Sequence, residues 1–114
     1  MNIATELYGH ALMLNLKGDL TDDSLGPLRQ AIDHQLSGKD EVIDLVLNME
    51  NVPFIDSVAL EYLLDLQDRL AERLGQVKLA ACDENIRKIL EITRLDSTFE
   101  LYANANEAVK ALRP

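Results

Sequence analysis

Four times along this chain a short apolar run gives way to a segment with helical spacing. "ALMLNL" (11–16) precedes a helix-like stretch at about 25–37, and "VIDLVLNM" (42–49) precedes one at 57–74. "VKLAA" (77–81) leads into "ENIRKILEITR" (84–94), and "TFELY" (98–102) into "NANEAVKAL" (104–112). Strands that alternate with helices pair parallel through right-handed crossovers, because each helix carries the chain back along the sheet. A further strand at 2–8 stands before the first, with Gly9-His10 as the turn between them, so the chain opens with an antiparallel hairpin. The order β-β-α-β-α-β-α-β-α predicts an α/β fold: a mixed sheet of four to five strands flanked by about four helices. "VIDLVLNM", rich in branched apolar residues, reads as its central strand.

The punctuation between these runs agrees with them. Ser24 is the predicted N-cap of the first helix, which spaces Leu28, Ile32 and Leu36 at helical intervals, takes Pro27 in its first turn and ends at Gly38. Gly75 is the predicted terminator of the second helix. Asp83 caps the third, and Asn104 with Glu107 forms a pair like a capping box on the fourth. There is no linker, low-complexity segment or internal repeat, so residues 1–114 read as a single domain, large enough to bury about two-thirds of its unfolded surface.

Charge narrows the function. Twenty acidic against eleven basic side chains leave a net charge of -9. Such a field repels nucleic acid and anionic membrane surfaces and leaves protein partners open. One cysteine, Cys82, permits no internal disulfide and no cysteine-rich metal site, and it reads as a small core or rim residue. "MNIATELYGH" lacks the features of a signal peptide, and no apolar run approaches the ~20 residues of a membrane span, so a cytoplasmic protein without membrane insertion is expected. No catalytic residue, cofactor or metal is expected. The two histidines, His10 in a turn and His34 on a polar helix position, give Ser57 no general base. The pairs Asp22-Asp23 and Asp40-Glu41 match no metal-ligand spacing, and no glycine-rich loop cradles phosphate.

The stretch that asks for a function is "PFIDSVALEYLL" (53–64). Two registers are open for the helix that starts there. With Asp56 as N-cap, Ile55 and Leu60 fall at the N′ and N4 positions of a hydrophobic staple, and Ser57 becomes the first helical residue. With Ser57 as cap, no staple forms. The first register is favoured, and it turns the Ser57 hydroxyl outward at the positive end of the helix dipole, where free N–H groups suit a phosphate. A helical wheel groups Leu60, Leu63, Leu64, Leu66, Leu70, Ala71 and Leu74 on a buried arc. It sets Glu61, Asp65, Asp68 and Glu72 opposite, with Val58 and Tyr62 among them. Two apolar side chains beside an exposed hydroxyl form either a docking patch or incidental exposure. As a patch, they would lie with Ser57 beside the loop "GDLTDD" (18–23).

These residues carry a family likeness. "LNLKGDLTDDSLGPLRQAI", "DLVLNMENVPFIDSVALEYLLDL" and "VKLAACDENIRKILEITRLDSTFELYANANEAVKAL" resemble, in order, the segments of a STAS domain, in particular the bacterial anti-sigma factor antagonists of partner-switching pathways. The resemblance implies a STAS-like fold without enzymatic activity. It implies that Ser57 is a phospho-acceptor for an anti-sigma factor that is itself a serine kinase of the histidine-kinase-like ATPase type. The unphosphorylated antagonist would bind that kinase and free the sigma factor, and a serine phosphatase would reset it. Asp19, Asp22, Asp23, Asp56, Ser57, Val58 and Tyr62 would form the partner-binding surface. The family turn usually reads Asp-Ser-Ser-Gly-Leu, whereas this chain has Asp56-Ser57-Val58-Ala59-Leu60. Arg94 stands where a helix-ending glycine is common, so a strained or differently capped terminus is expected there. The alternative is a STAS adaptor subunit without a switch, for example of a lipid-transport or sensory complex.

Overall fold

A computed structural model of the chain describes residues 1–37 and 42–112. Five strands form one sheet in the order β1-β2-β3-β4-β5: β1 (Asn2–Tyr8), β2 (Ala11–Lys17), β3 (Asp44–Asn51), β4 (Val77–Ala80) and β5 (Glu100–Tyr102). β1 pairs antiparallel with β2, and every later neighbour pairs parallel. β3 is central, as its composition predicts. The helices are α1 (Leu25–Leu36), α2 (Ser57–Ala71), α3 (Glu84–Ile92) and α4 (Ala105–Lys110).

Alternation along the strands sorts the side chains into two layers. Leu12, Leu14 and Leu16 of β2, Leu45, Leu47 and Met49 of β3, and Val77 and Leu79 of β4 share the main core with the apolar faces of α1, α2 and α3. Met13, Val46 and Ala80 face the other way, where α4 covers them with Ala108 and Val109. Successive parallel neighbours joined by crossovers of one hand place α1, α2 and α3 on one face. Lys78 lies on the α4 side, its side chain 7% exposed, with its ammonium 2.5 Å from Glu100 and 3.4 Å from the Tyr102 hydroxyl. Burial alone would lower the Lys78 pKa, but these two partners outweigh it and raise it.

Helix ends depart from expectation in instructive ways. The first helix is entered through a 3-10 turn, Asp22–Ser24, whose N-cap is Thr21. Ser24 holds the predicted N-cap position of α1, but its side chain makes no cap bond there; it accepts the Thr21 N–H at 2.9 Å and donates to the Asp19 carbonyl at 2.6 Å, fastening the turn instead. The predicted stop at Gly38 lies outside the described residues. At the end of α2 the left-handed residue is Leu74 (φ 62°), not Gly75. The Leu74 N–H reaches the Ala71 carbonyl at 3.0 Å and the Gly75 N–H reaches Leu70 at 2.7 Å, the bond pattern of a Schellman motif. Gly75 is required for a different reason: a Cβ there would sit 1.9 Å from the Ile43 carbonyl oxygen. α3 ends the same way. Arg94 (φ 61°) bonds back to Glu91, and Leu95 bonds back to Leu90. Of the two expectations for this terminus, it is the strained one: Arg94 takes the left-handed conformation that a side chain disfavours. The caps at Asp83 and Asn104 form as predicted, accepting from Ile86 at 2.8 Å and from Glu107 at 2.9 Å.

Two substitutions separate these glycine roles. Arg94→Gly relieves a left-handed side-chain residue on the surface and should stabilise the fold by ~1 kcal/mol. Gly75→Ala drives a methyl group into the backbone beside β3 and should destabilise it by about 2 kcal/mol or more. Denaturant melts of both variants check the pair, and equal effects would contradict this assignment.

Candidate functional site

The site is built where two loops leave neighbouring parallel strands. The segment after β2 and the segment after β3 run side by side and are joined by backbone hydrogen bonds. The Gly18 N–H donates to Asn51 at 3.0 Å, Leu20 to Phe54 at 2.9 Å, and Asp56 to Leu20 at 3.1 Å. Leu20 and Ile55 form a parallel bridge between the loops, and both side chains are buried. The pairing of the sheet thus continues past the strand ends and holds both loops rigid.

Asp56 completes the junction. One carboxylate oxygen accepts the Ala59 N–H at 2.9 Å, which caps α2, and the other accepts the Asp22 N–H at 3.0 Å, which anchors the first loop. These two hydrogen bonds, Ala59 first, hold its carboxyl below the ordinary carboxylate pKa. The register with Asp56 as cap is therefore the one adopted, and Ile55 and Leu60 both enter the main core. Ser57 is the first helical residue, exposed, and its hydroxyl has no hydrogen-bond partner among the described residues. Asp19, Asp22 and Asp23 are exposed on the neighbouring loop, as the sequence places them. The Asp22–Asp56 bond brings that loop directly to the α2 N-terminus.

The apolar part of the predicted patch is different. Tyr62 is buried, 8% exposed, and belongs to the main core. The wheel treats α2 as packed on the sheet alone, but α1 lies along its flank. Arg29 of α1 stands over the Tyr62 ring at 5.0 Å from the centroid, and Asp33 of α1 pairs with Arg69 of α2 at 3.2 Å. Burial first, then the Asp33 charge, push the Tyr62 hydroxyl up to about 12, and this hydroxyl has no hydrogen-bond partner among the described residues. Val58 is half-buried against the core. Conversely, Ala71 and Leu74 are exposed: Leu70 is the last residue of α2 to enter the core, and the helix ends at Ala71.

The exposed apolar residue beside Ser57 is Phe54, 52% exposed. Sequence reading missed it because it follows an apolar strand and looks like its continuation. The signal was Pro53: the strand has ended, so Phe54 has no sheet face to occupy. On the same end of the sheet an open groove of about 410 Å3 is lined by Lys17, Asn51, Val52, Pro53 and Asp83 among others. Among the described residues no group of His, Cys, Asp or Glu side chains could hold a metal ion. Likewise, no helix there is long and apolar enough to cross a membrane.

The fold has known counterparts. The family model described as "STAS domain" matches residues 2–108. A STAS-domain containing protein of Pseudomonas aeruginosa is 36% identical over 56 residues, which span 49% of this chain and 55% of that protein. The crystal structure of an anti-sigma factor antagonist from Mycobacterium paratuberculosis is similar with a TM-score of 0.82 at 27% identity, covering 99% of this chain and 94% of that one. The phosphorylated form of SpoIIAA, a Bacillus cell fate determinant, has the same fold, with a TM-score of 0.77 at 20% identity over 98% of this chain and all of that one.

Two measurements test the site's construction. Asp56 is a carboxylate whose pKa falls on folding, so its contribution is present at neutral pH and disappears as pH drops through its folded value, below the ordinary 3.8. Asp56→Ala should lower the melting temperature at pH 7, and the gap from wild type should close toward pH 3. Tyr62→Phe removes a buried hydroxyl that has no partner and should leave stability unchanged or raise it, by up to ~1 kcal/mol. A clear loss of stability in Tyr62→Phe would mean that the hydroxyl is satisfied in solution.

Proposed function

The chain belongs to the STAS domain family, and we propose that it serves as an anti-sigma factor antagonist switched by phosphorylation of Ser57. The observation that carries this reading is the division of labour between Asp56 and Ser57. Asp56 caps the helix and ties down the loop, so the Ser57 hydroxyl has no structural duty and stands exposed. A kinase can take it without unfolding anything. Two relatives support the reading: the similar structure from Mycobacterium paratuberculosis is an anti-sigma factor antagonist, and SpoIIAA exists in a phosphorylated form.

The partner in this reading is an anti-sigma factor that is also a serine kinase of the histidine-kinase-like ATPase type. It meets Ser57, Phe54, the exposed part of Val58, and the acidic residues Asp19, Asp22, Asp23 and Asp56. A serine phosphatase reverses the modification, and the exchange takes place in the cytoplasm. The phosphate brings about -1.5 to -2 charges at pH 7. It is held on a helix whose Ala59 N–H already belongs to Asp56. The modification therefore acts on the surface and leaves the backbone alone. A partner packed over Phe54 would have to desolvate that charge, which costs several kcal/mol unless a cation meets it.

Calorimetric titration of wild type, Ser57→Ala and Ser57→Asp against the cognate kinase, with mass spectrometry after incubation with ATP, tests the switch. Ser57→Ala should bind constitutively, and Ser57→Asp should bind at least tenfold more weakly, ~1.4 kcal/mol. Equal binding by Ser57→Asp together with no phosphate on Ser57 would replace the switch with an adaptor that docks partners constitutively.

A further inference from the structure

β1 leaves one edge of the sheet open along its whole length. Its pairing with β2 runs unbroken from Asn2↔Lys17 to Tyr8↔Ala11, and among the described residues no other strand pairs with it. Hairpin geometry fixes which backbone groups point outward. Gly9 (φ 61°) opens a two-residue turn, and the residues that close such a turn, Tyr8 and Ala11, form a hydrogen-bonded pair. Alternation then turns the N–H and C=O groups of Asn2, Ala4, Glu6 and Tyr8 toward β2. Those of Ile3, Thr5 and Leu7 face outward.

Sheet edges in natural proteins are normally guarded by shortness, proline, lysine or a bulge. β5, at the opposite edge, is guarded by having only three residues. β1 has seven residues, no proline, no lysine and no register shift. Its single charge, Glu6, is turned along its own sheet, accepting from Tyr8 at 2.6 Å and from Asn15 of β2 at 3.3 Å. Leu7 is 51% exposed and Tyr8 39%.

We propose that β1 is an interface with a second copy of this chain, the two strands pairing antiparallel about a two-fold axis at Thr5 to make one continuous ten-stranded sheet. The residue pattern selects both partner and register. An axis at Thr5 pairs all seven residues, sets Ile3 against Leu7 on both sides of the axis, and places Asn2 against Tyr8 and Ala4 against Glu6. An axis at Glu6 would bring two carboxylates face to face, which is unfavourable. An axis at Ala4 would leave Tyr8 unpaired and set Leu7 against Met1, outside the strand. Charge also singles out this strand. Two molecules of net charge -9 repel each other, and β1 lets them meet across a stretch with one carboxylate each. The contact is isologous, so it closes as a dimer. A strand pair of seven residues is small for a permanent interface, and the dimer is accordingly concentration-dependent and strengthened by salt. It uses none of the side chains around Ser57, so it stands or falls apart from the switch.

The full chain carrying Thr5→Cys tests the register. Facing Cα atoms in a hydrogen-bonded antiparallel pair are about 5.5 Å apart, within the span of a disulfide. The native thiol, Cys82, is buried and pushed up to about 11, so it does not compete. Under mild oxidation Thr5→Cys should give a covalent dimer several-fold faster than Glu6→Cys, whose facing residue is Ala4 of the other copy. Light scattering of the unmodified chain should approach twice 12.8 kDa as concentration and salt rise. Thr5→Pro, which removes only an outward N–H, should stay at 12.8 kDa with an unchanged circular dichroism spectrum. A mass of 12.8 kDa at the highest soluble concentration, or equal cross-linking of the two cysteine variants, would overturn the proposal.

Discussion

The site depends on one carboxylate that accepts two backbone N–H groups from different parts of the chain. Asp56 binds Ala59 in its own helix and Asp22 across the junction. The first bond sets where α2 begins. The second sets where the loop before α1 lies relative to it. Between them the Leu20–Ile55 bridge and its hydrogen bonds extend the β2–β3 pairing beyond the sheet. The three acidic residues of the first loop are thereby fixed beside Ser57. Cooperation between a cap and a parallel bridge is enough to join two loops into one surface.

Local signals that act over three or four residues were legible in the sequence. Asp56, Asp83 and Asn104 all cap through their own side chains, and the hairpin turn falls at Gly9-His10 as composition predicts. What failed were individual side-chain placements that depend on a neighbour in space. Tyr62 sits at a polar position of an isolated helix and becomes buried because α1 runs alongside it. Leu74 belongs to an apolar arc by angle, yet α2 stops before it can reach the core. Ser24 has the chemistry of a cap and is used three residues further into the turn, because Thr21 precedes it in extended conformation. Lys78 lies in a strand whose pattern reads as buried, and only the pairing of β4 with β5 shows that Glu100 is there to meet it.

The departures from the usual family turn alter surface chemistry and leave the backbone intact. Ala59 stands where the family often has glycine, but its position is helical and fully buried, and its N–H is the one that Asp56 holds. A methyl group fits there and favours the helix over glycine by about 1 kcal/mol. Val58 replaces a second hydroxyl and tucks part of its side chain into the core. The result is a first turn with one hydroxyl where the family pattern has two. In the proposed switch, a kinase acting at this turn would therefore have a single acceptor hydroxyl, Ser57, on a helix already packed and capped. A rigid acceptor favours a switch that works by charge at the surface. A conformational switch would need an alternative position for α2 or for the loop, and Asp56, bonded to both, opposes any motion that separates them.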